Sequence, residues 1–115
     1  MDRGAFVENL VFNEQGLIPV VVQQVDTREV LMVAWMNAQT VAQTLNTGKA
    51  TYWSRSRAQV WVKGETSGQH QHVVSLAKDC DSDTLLLTVE QTGNACHTGS
   101  YTCFDDQVTH PEVSK

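Results

Sequence analysis

The chain has 115 residues, with eight Lys plus Arg against thirteen Asp plus Glu and a net charge of −5. That length holds a single domain over residues 1–115 and excludes two fused enzymes, because independent domains mostly need ~100–200 residues each. At 41% hydrophobic and 18% charged the composition is that of a folded globular chain, and the acidic excess excludes nucleic acid drawn in by a general basic field. An anionic ligand therefore requires a local basic pocket or a metal.

Residues 1–9 predict a short helix. Their alternation of charged and apolar groups lacks the unbroken apolar core of a secretion signal, so a cytoplasmic location is expected. Residues 16–23 read as a β-branched strand and 29–35 as a second, and the turn-forming Asp26-Thr27-Arg28 between them predicts a hairpin. The longest apolar run, 30–36, is far below the ~18 residues that span a bilayer, so no membrane partner is expected. Asn37 is a suitable N-cap for a helix over 38–46, with Val41, Ala42 and Leu45 on one face and Gly48 just past its end. That helix is expected to cover the hairpin's sheet. Residues 50–55, 59–62, 71–78 and 84–91 read as four more short strands, divided by turn chemistry such as Gly64-Glu65-Thr66-Ser67-Gly68. Residues 105–115 are polar and aperiodic, a loosely held tail. The expected class is α+β, mainly β: a compact folded sheet of short strands with one or two covering helices.

Three segments carry chemistry. In Asp79-Cys80-Asp81-Ser82-Asp83, carboxylates stand at every second position. An extended strand would turn Asp79, Asp81 and Asp83 to one face and Cys80 to the other. Carboxylate oxygens suit Mg²⁺, Mn²⁺ or Ca²⁺ and a thiolate suits Zn²⁺, so one segment can serve two metals. A calcium-loop reading fails because Thr84 stands where the sharp turn needs Gly and no helical pattern flanks the segment. The bland alternative is a solvated acidic turn.

Residues 93–103 are rich in turn formers and contain Cys96 and Cys103. With Cys80 they make three thiols, an odd number that excludes a complete disulfide framework and matches the three protein ligands of a catalytic zinc. His97 closing the sphere as a structural site, or a cysteine packing as a small hydrophobe, are the competing readings. Three thiolates would leave zinc a weakened Lewis acid whose water needs help. His97, next to a ligand and titrating near ~6.5, is the candidate general base.

The third segment runs from Tyr52-Trp53-Ser54-Arg55-Ser56-Arg57 to Lys63 and the Gly64–Gly68 turn. Continued strand geometry would put Trp53, Arg55 and Arg57 on one side. Arg forks and Lys63, with backbone N–H groups and hydroxyls from Glu65, Thr66, Ser67 and Gly68, suit a phosphorylated ligand. Tryptophans in the core and arginines on a solvated edge are the alternative.

Together these motifs resemble the phosphoribosyl-AMP cyclohydrolase family of histidine biosynthesis, which opens the purine ring of N1-(5-phosphoribosyl)-AMP. The resemblance spans residues 16–104 and rests on the segments at 30–37, 52–57, 63–68, 79–83 and 95–99. It implies zinc at Cys80, Cys96 and Cys103, magnesium at Asp79, Asp81 and Asp83, and a hydrolytic water assisted by His97. It also implies a homodimer that takes Cys80 from one subunit and Cys96 with Cys103 from the other. Gln69 departs from the Asn or His usual in the family, while Gln71 fits. The pyrophosphohydrolase domain of fused members is not expected here. Two other functions compete: a zinc nucleobase deaminase, whose His-x-Glu and Pro-Cys-x-x-Cys signature is missing, and a noncatalytic zinc-stabilised module that binds a phosphorylated partner.

Overall fold

A computed structural model of the chain describes residues 3–96 and 98–110. The elements follow the order α1 (Arg3–Glu8), β1 (Ile18–Gln24), β2 (Val30–Met36), α2 (Ala38–Thr47), β3 (Thr51–Ser54), β4 (Gln59–Val62), β5 (Gln71–Lys78) and β6 (Leu85–Gln91). The β-branched run at 18–24 and the apolar run at 30–36 pair antiparallel as the expected hairpin, closed by Arg28 at φ 66° and by Gln24 N–H donating to the Glu29 carbonyl at 2.8 Å. β6 then lies parallel to β1, and β5 pairs antiparallel with β6, giving a four-stranded sheet ordered β2-β1-β6-β5. β3 and β4 form a separate antiparallel pair. The described residues are thus α+β and mainly β.

Alternation decides which face is buried. Ile18, Val20 and Val22 of β1, with Leu85, Leu87 and Val89 of β6, point to one side and are excluded from water, where Phe6 of α1, Val41 of α2 and Tyr52 of β3 join them. Tyr52 brings a hydroxyl into this core and donates it to Gln71 Oε1 at 2.5 Å; Gln71 Nε2 in turn donates to Gln91 Oε1 at 2.8 Å. Such a pair is stable in the interior because each polar atom has a partner. On the opposite face the register aligns Val33, Val21, Leu86 and Ala77 across the four strands, and Val33 and Leu86 are exposed.

α2 begins at the expected cap: Asn37 accepts from Thr40 N–H while the Thr40 hydroxyl accepts from Asn37 N–H, and Gly48 at φ 74° ends it. Of the predicted face Val41 is fully buried in the core with the hairpin's inward side chains and Leu45 is partly buried against it; Thr40 and Thr44, not Ala42, complete the buried set. Thr44 Oγ1 accepts from Thr51 N–H at 3.0 Å and donates to the Thr51 carbonyl at 3.1 Å, which binds the helix to β3. α2 thus covers part of the sheet through Val41 while packing most extensively on β3. Among the described residues no helix is long and apolar enough to cross a membrane.

Candidate active site

The loop after β6 is folded back on itself. Ala95 N–H donates to the Tyr101 carbonyl at 3.0 Å and Cys96 N–H to the Ser100 carbonyl at 3.1 Å. Its far end is pinned to the start of β2, where the Thr102 hydroxyl reaches the Val30 carbonyl and Cys103 N–H the Leu31 carbonyl, each at 2.7 Å. This closure brings the Cys96 and Cys103 thiols near enough for each to affect the other's ionisation. Cys96 Sγ sits 3.0 Å from Thr98 Oγ1, and the Thr98 hydroxyl and backbone hold that thiol below its ordinary range. Cys103 is pushed up, first by burial of its thiol and then by Cys96, with Lys63 acting the other way. Two free thiols near each other and beside a cation suit a thiophilic ion such as zinc.

Cys80 is elsewhere. It is exposed in the turn before β6, whereas Cys96 and Cys103 follow that strand. β6 itself, roughly 20 Å long at ~3.3 Å per residue, runs between the turn that carries Cys80 and the loop that carries the other two. His97 lies outside the described residues.

Residues 79–83 form a turn between β5 and β6, so extended-strand alternation does not set the directions of these side chains. Ser82 takes φ 66° and donates its N–H to the Asp79 carbonyl at 3.0 Å, while Asp79 Oδ1 accepts from Asp83 N–H at 3.1 Å and Thr84 N–H at 3.2 Å. The carboxylates of Asp79, Asp81 and Asp83 still converge, all within 4.8 Å of one another and exposed, but by curling of the chain rather than by alternation. Asp81 is raised above the usual carboxylate range by hydrogen bonds shared with Asp83 and Asp79. For Asp79 a raising effect of desolvation is outweighed by hydrogen bonds with Asp81 and the Thr84 and Asp83 N–H groups, which lower it. Three oxygens crowded this closely, one of them retaining its proton more tightly, have the donor chemistry for a hard divalent cation.

A cleft of about 710 Å³ opens beside the thiol loop, lined by Ser56, Arg57, Lys63, Thr66, Ser67 and Cys96 among others. A smaller hollow of about 270 Å³ on the other side of Lys63 is lined by Trp35, Trp53, Trp61 and Cys103. The predicted basic segment is thus split. β3 ends at Ser54 and Ala58 takes φ 52°, so residues 55–58 turn instead of continuing the strand and do not share one face with Trp53. Arg57 reaches the cleft; Arg55 stacks its guanidinium 4.6 Å above the Trp35 ring. Glu65 lines a third hollow of about 490 Å³ with Lys49 and His70. Gly68 closes the 64–68 turn through its N–H to the Gly64 carbonyl at 2.9 Å. Gly64 at φ 84° is required there, since a Cβ would meet the Gln69 carbonyl carbon at 2.6 Å. The sequence reading did not single out Thr98 at the Cys96 thiol or Trp35 under Arg55, although both lie inside the motifs that it used.

These features define a small α+β protein with a cationic, hydroxyl-lined cleft, the Cys96 thiol in its wall and the Cys103 thiol in the adjoining hollow. The model of the phosphoribosyl-AMP cyclohydrolase family matches residues 32–105. The chain is 60% identical over 98 residues to the phosphoribosyl-AMP cyclohydrolase of Micrococcus luteus, covering 85% of this chain and 78% of that protein. It is 63% identical over 90 residues to that of Thermobifida fusca, 78% of each chain, and 60% identical over 98 residues to that of Acidiphilium cryptum, 85% of this chain and 84% of that one. The chain belongs to the phosphoribosyl-AMP cyclohydrolase family and is an enzyme of that type.

Proposed function

We propose that the chain hydrolyses the N1–C6 bond of the adenine ring of N1-(5-phosphoribosyl)-AMP, giving the formimino-imidazole carboxamide ribotide of histidine biosynthesis, in a zinc-dependent reaction. The supporting observation is that the closed loop places Cys96 in the wall of a cleft that also presents Arg57, Thr66 and Ser67, with the Cys103 thiol nearby in the adjoining hollow. Zinc bound by Cys80, Cys96 and Cys103 supplies Lewis acidity that makes water a competent nucleophile near neutral pH. His97 takes the proton of the water that attacks C6 and delivers it to N1 as the N1–C6 bond breaks; the exocyclic amine stays on C6 as the carboxamide, and no ammonia leaves. Arg57 and the cleft hydroxyls bind phosphate, and Trp53 offers a face near the base. Arg55 adds charge above Trp35, Glu65 and Gly68 shape the loop that carries Thr66 and Ser67, and Asp79, Asp81 and Asp83 hold a magnesium ion.

A homodimer belongs to the same reading. With Cys80 a strand's length from the other thiols, a second copy supplies the missing sulfur, and the exposed Val33–Leu86 side of the sheet offers apolar surface for contact. A parallel strand pair is ordinarily covered on both faces, which favours burial of that side. Reduced thiols and a nucleotide metabolite fit a cytoplasmic enzyme.

The test is incubation of zinc-loaded protein with N1-(5-phosphoribosyl)-AMP, followed by ultraviolet absorbance and an ammonia assay, with Cys96→Ser as control. Ring opening without ammonia, lost together with bound zinc in Cys96→Ser, is expected. Ammonia release would instead identify a deaminase, and bound zinc without turnover a binding module.

A further inference from the structure

Lys63 follows β4 and is 8% exposed, an unusual position for an amine unless something holds it there. What holds it is the loop: Nζ donates to the Ala95 carbonyl at 2.7 Å, across 32 positions of sequence, and stands 5.4 Å from the centre of the Trp61 ring. Ala95 is the residue before Cys96, is 4% exposed, and is held on its other edge by its N–H to Tyr101. Lys63 lines both the hollow that contains Cys96 and the one that contains Cys103, so it borders the sites of both thiols. A phosphate-binding lysine is a mobile point charge at the end of a free stem. This one has its head group tied to backbone.

We propose that Lys63 is a positioning residue: its bond to the Ala95 carbonyl sets the backbone from which Cys96 and Cys103 project, and the ammonium does not serve as a phosphate ligand. The link to metal rests on the functional reading above; the bond and its effect on the loop do not.

Hydrogen exchange of metal-free protein tests the bond directly. In Lys63→Met the amides of Ala95, Cys96 and Cys103 exchange at least about 10-fold faster while those of β1 and β6 are unchanged; Lys63→Arg, which keeps a charged donor, recovers most of the protection. Uniform acceleration through the core, no acceleration, or an Arg variant as loose as the Met variant overturns the inference. On the wild-type protein, ¹⁵N spectroscopy of the lysine ammonium groups gives a slowly exchanging Lys63 signal that inorganic pyrophosphate does not move. A signal exchanging like those of surface lysines, or shifted by pyrophosphate, overturns it even if neither variant folds. In chelator competition Lys63→Met weakens zinc by ~10–100-fold with KM unchanged at saturating zinc, whereas Arg57→Met raises KM and leaves zinc affinity intact. Unaltered zinc affinity with raised KM in Lys63→Met makes it a phosphate ligand and sinks the proposal. A wild-type protein that binds no zinc yet shows the local exchange effect removes the metal reading and leaves the positioning role standing.

Discussion

His97 and Asp81 are the two residues at which the proposed chemistry is most exposed to test. As a general base His97 must be neutral, so wild-type turnover rises with pH as the imidazole loses its proton. His97→Ala is expected to lose that rising limb and about 10²–10⁴-fold in kcat while atomic absorption finds its zinc unchanged. Full turnover across pH 6 to 9 would remove His97 from the mechanism. Asp81 has the opposite character. Its folded carboxyl is raised by the acids around it, so it contributes stability when protonated, and that contribution fades as pH climbs from the ordinary value of 3.8 through the raised one. At pH 7 the metal-free turn carries uncompensated repulsion. Asp81→Asn should therefore raise the Tm of the metal-free chain at pH 7 and abolish the further rise that magnesium gives the wild type. A magnesium-dependent Tm shift that survives in Asp81→Asn would show that the carboxylates do not act together.

At the scale of elements, local signals were strong where one interaction decides the outcome. β-branched composition located β1, β5 and β6 to within one or two residues, and Asn37 and Gly48 marked the ends of α2, because each of these depends on a residue and its immediate neighbours. The face that α2 buries was legible only in part: Val41 and Leu45 were, Thr40 and Thr44 were not. Threonine reads as polar until Thr51, seven residues after Thr44, supplies both partners for its hydroxyl. The acidic segment stayed open for a related reason: alternating carboxylates fit a strand and a tight turn equally, and only the Ser82 conformation and the Asp79 hydrogen bonds select the turn. The loop at 64–68 makes a quantitative prediction. Gly16 and Gly64 both have positive φ, 74° and 84°, but a Cβ at Gly16 meets nothing within 4 Å whereas at Gly64 it strikes backbone. Gly16→Ala should cost about 1–2 kcal/mol in urea unfolding, the ordinary expense of a left-handed alanine. Gly64→Ala should cost more and should also raise KM by displacing Thr66 and Ser67 from the cleft; equal losses at the two positions would show that the contact with Gln69 is relaxed without strain.

For the whole molecule the decisive distance is the one between Cys80 and the other two thiols, set by the run of β6 between them. Two copies sharing their sites make a specific complementation experiment. Cys80→Ser and Cys96→Ser proteins should each be inactive, but a mixture unfolded and refolded together should recover about a quarter of wild-type activity, since half of randomly paired dimers are mixed and each has one intact site of two. No recovery, together with monomeric behaviour on sedimentation, would defeat the shared site.

Residue chemistry and order along the chain were enough to find the strands, the capped helix and the family, because propensity, capping and motif order are properties of a residue and its near neighbours. The tertiary structure decided which of these residues meet. It drew Cys96 and Cys103 into one closed loop, turned Arg55 onto Trp35 while leaving Arg57 in the cleft, and put Cys80 at the other end of a strand. Those outcomes follow from sheet register and loop closure, which join positions tens of residues apart and leave no local pattern to read.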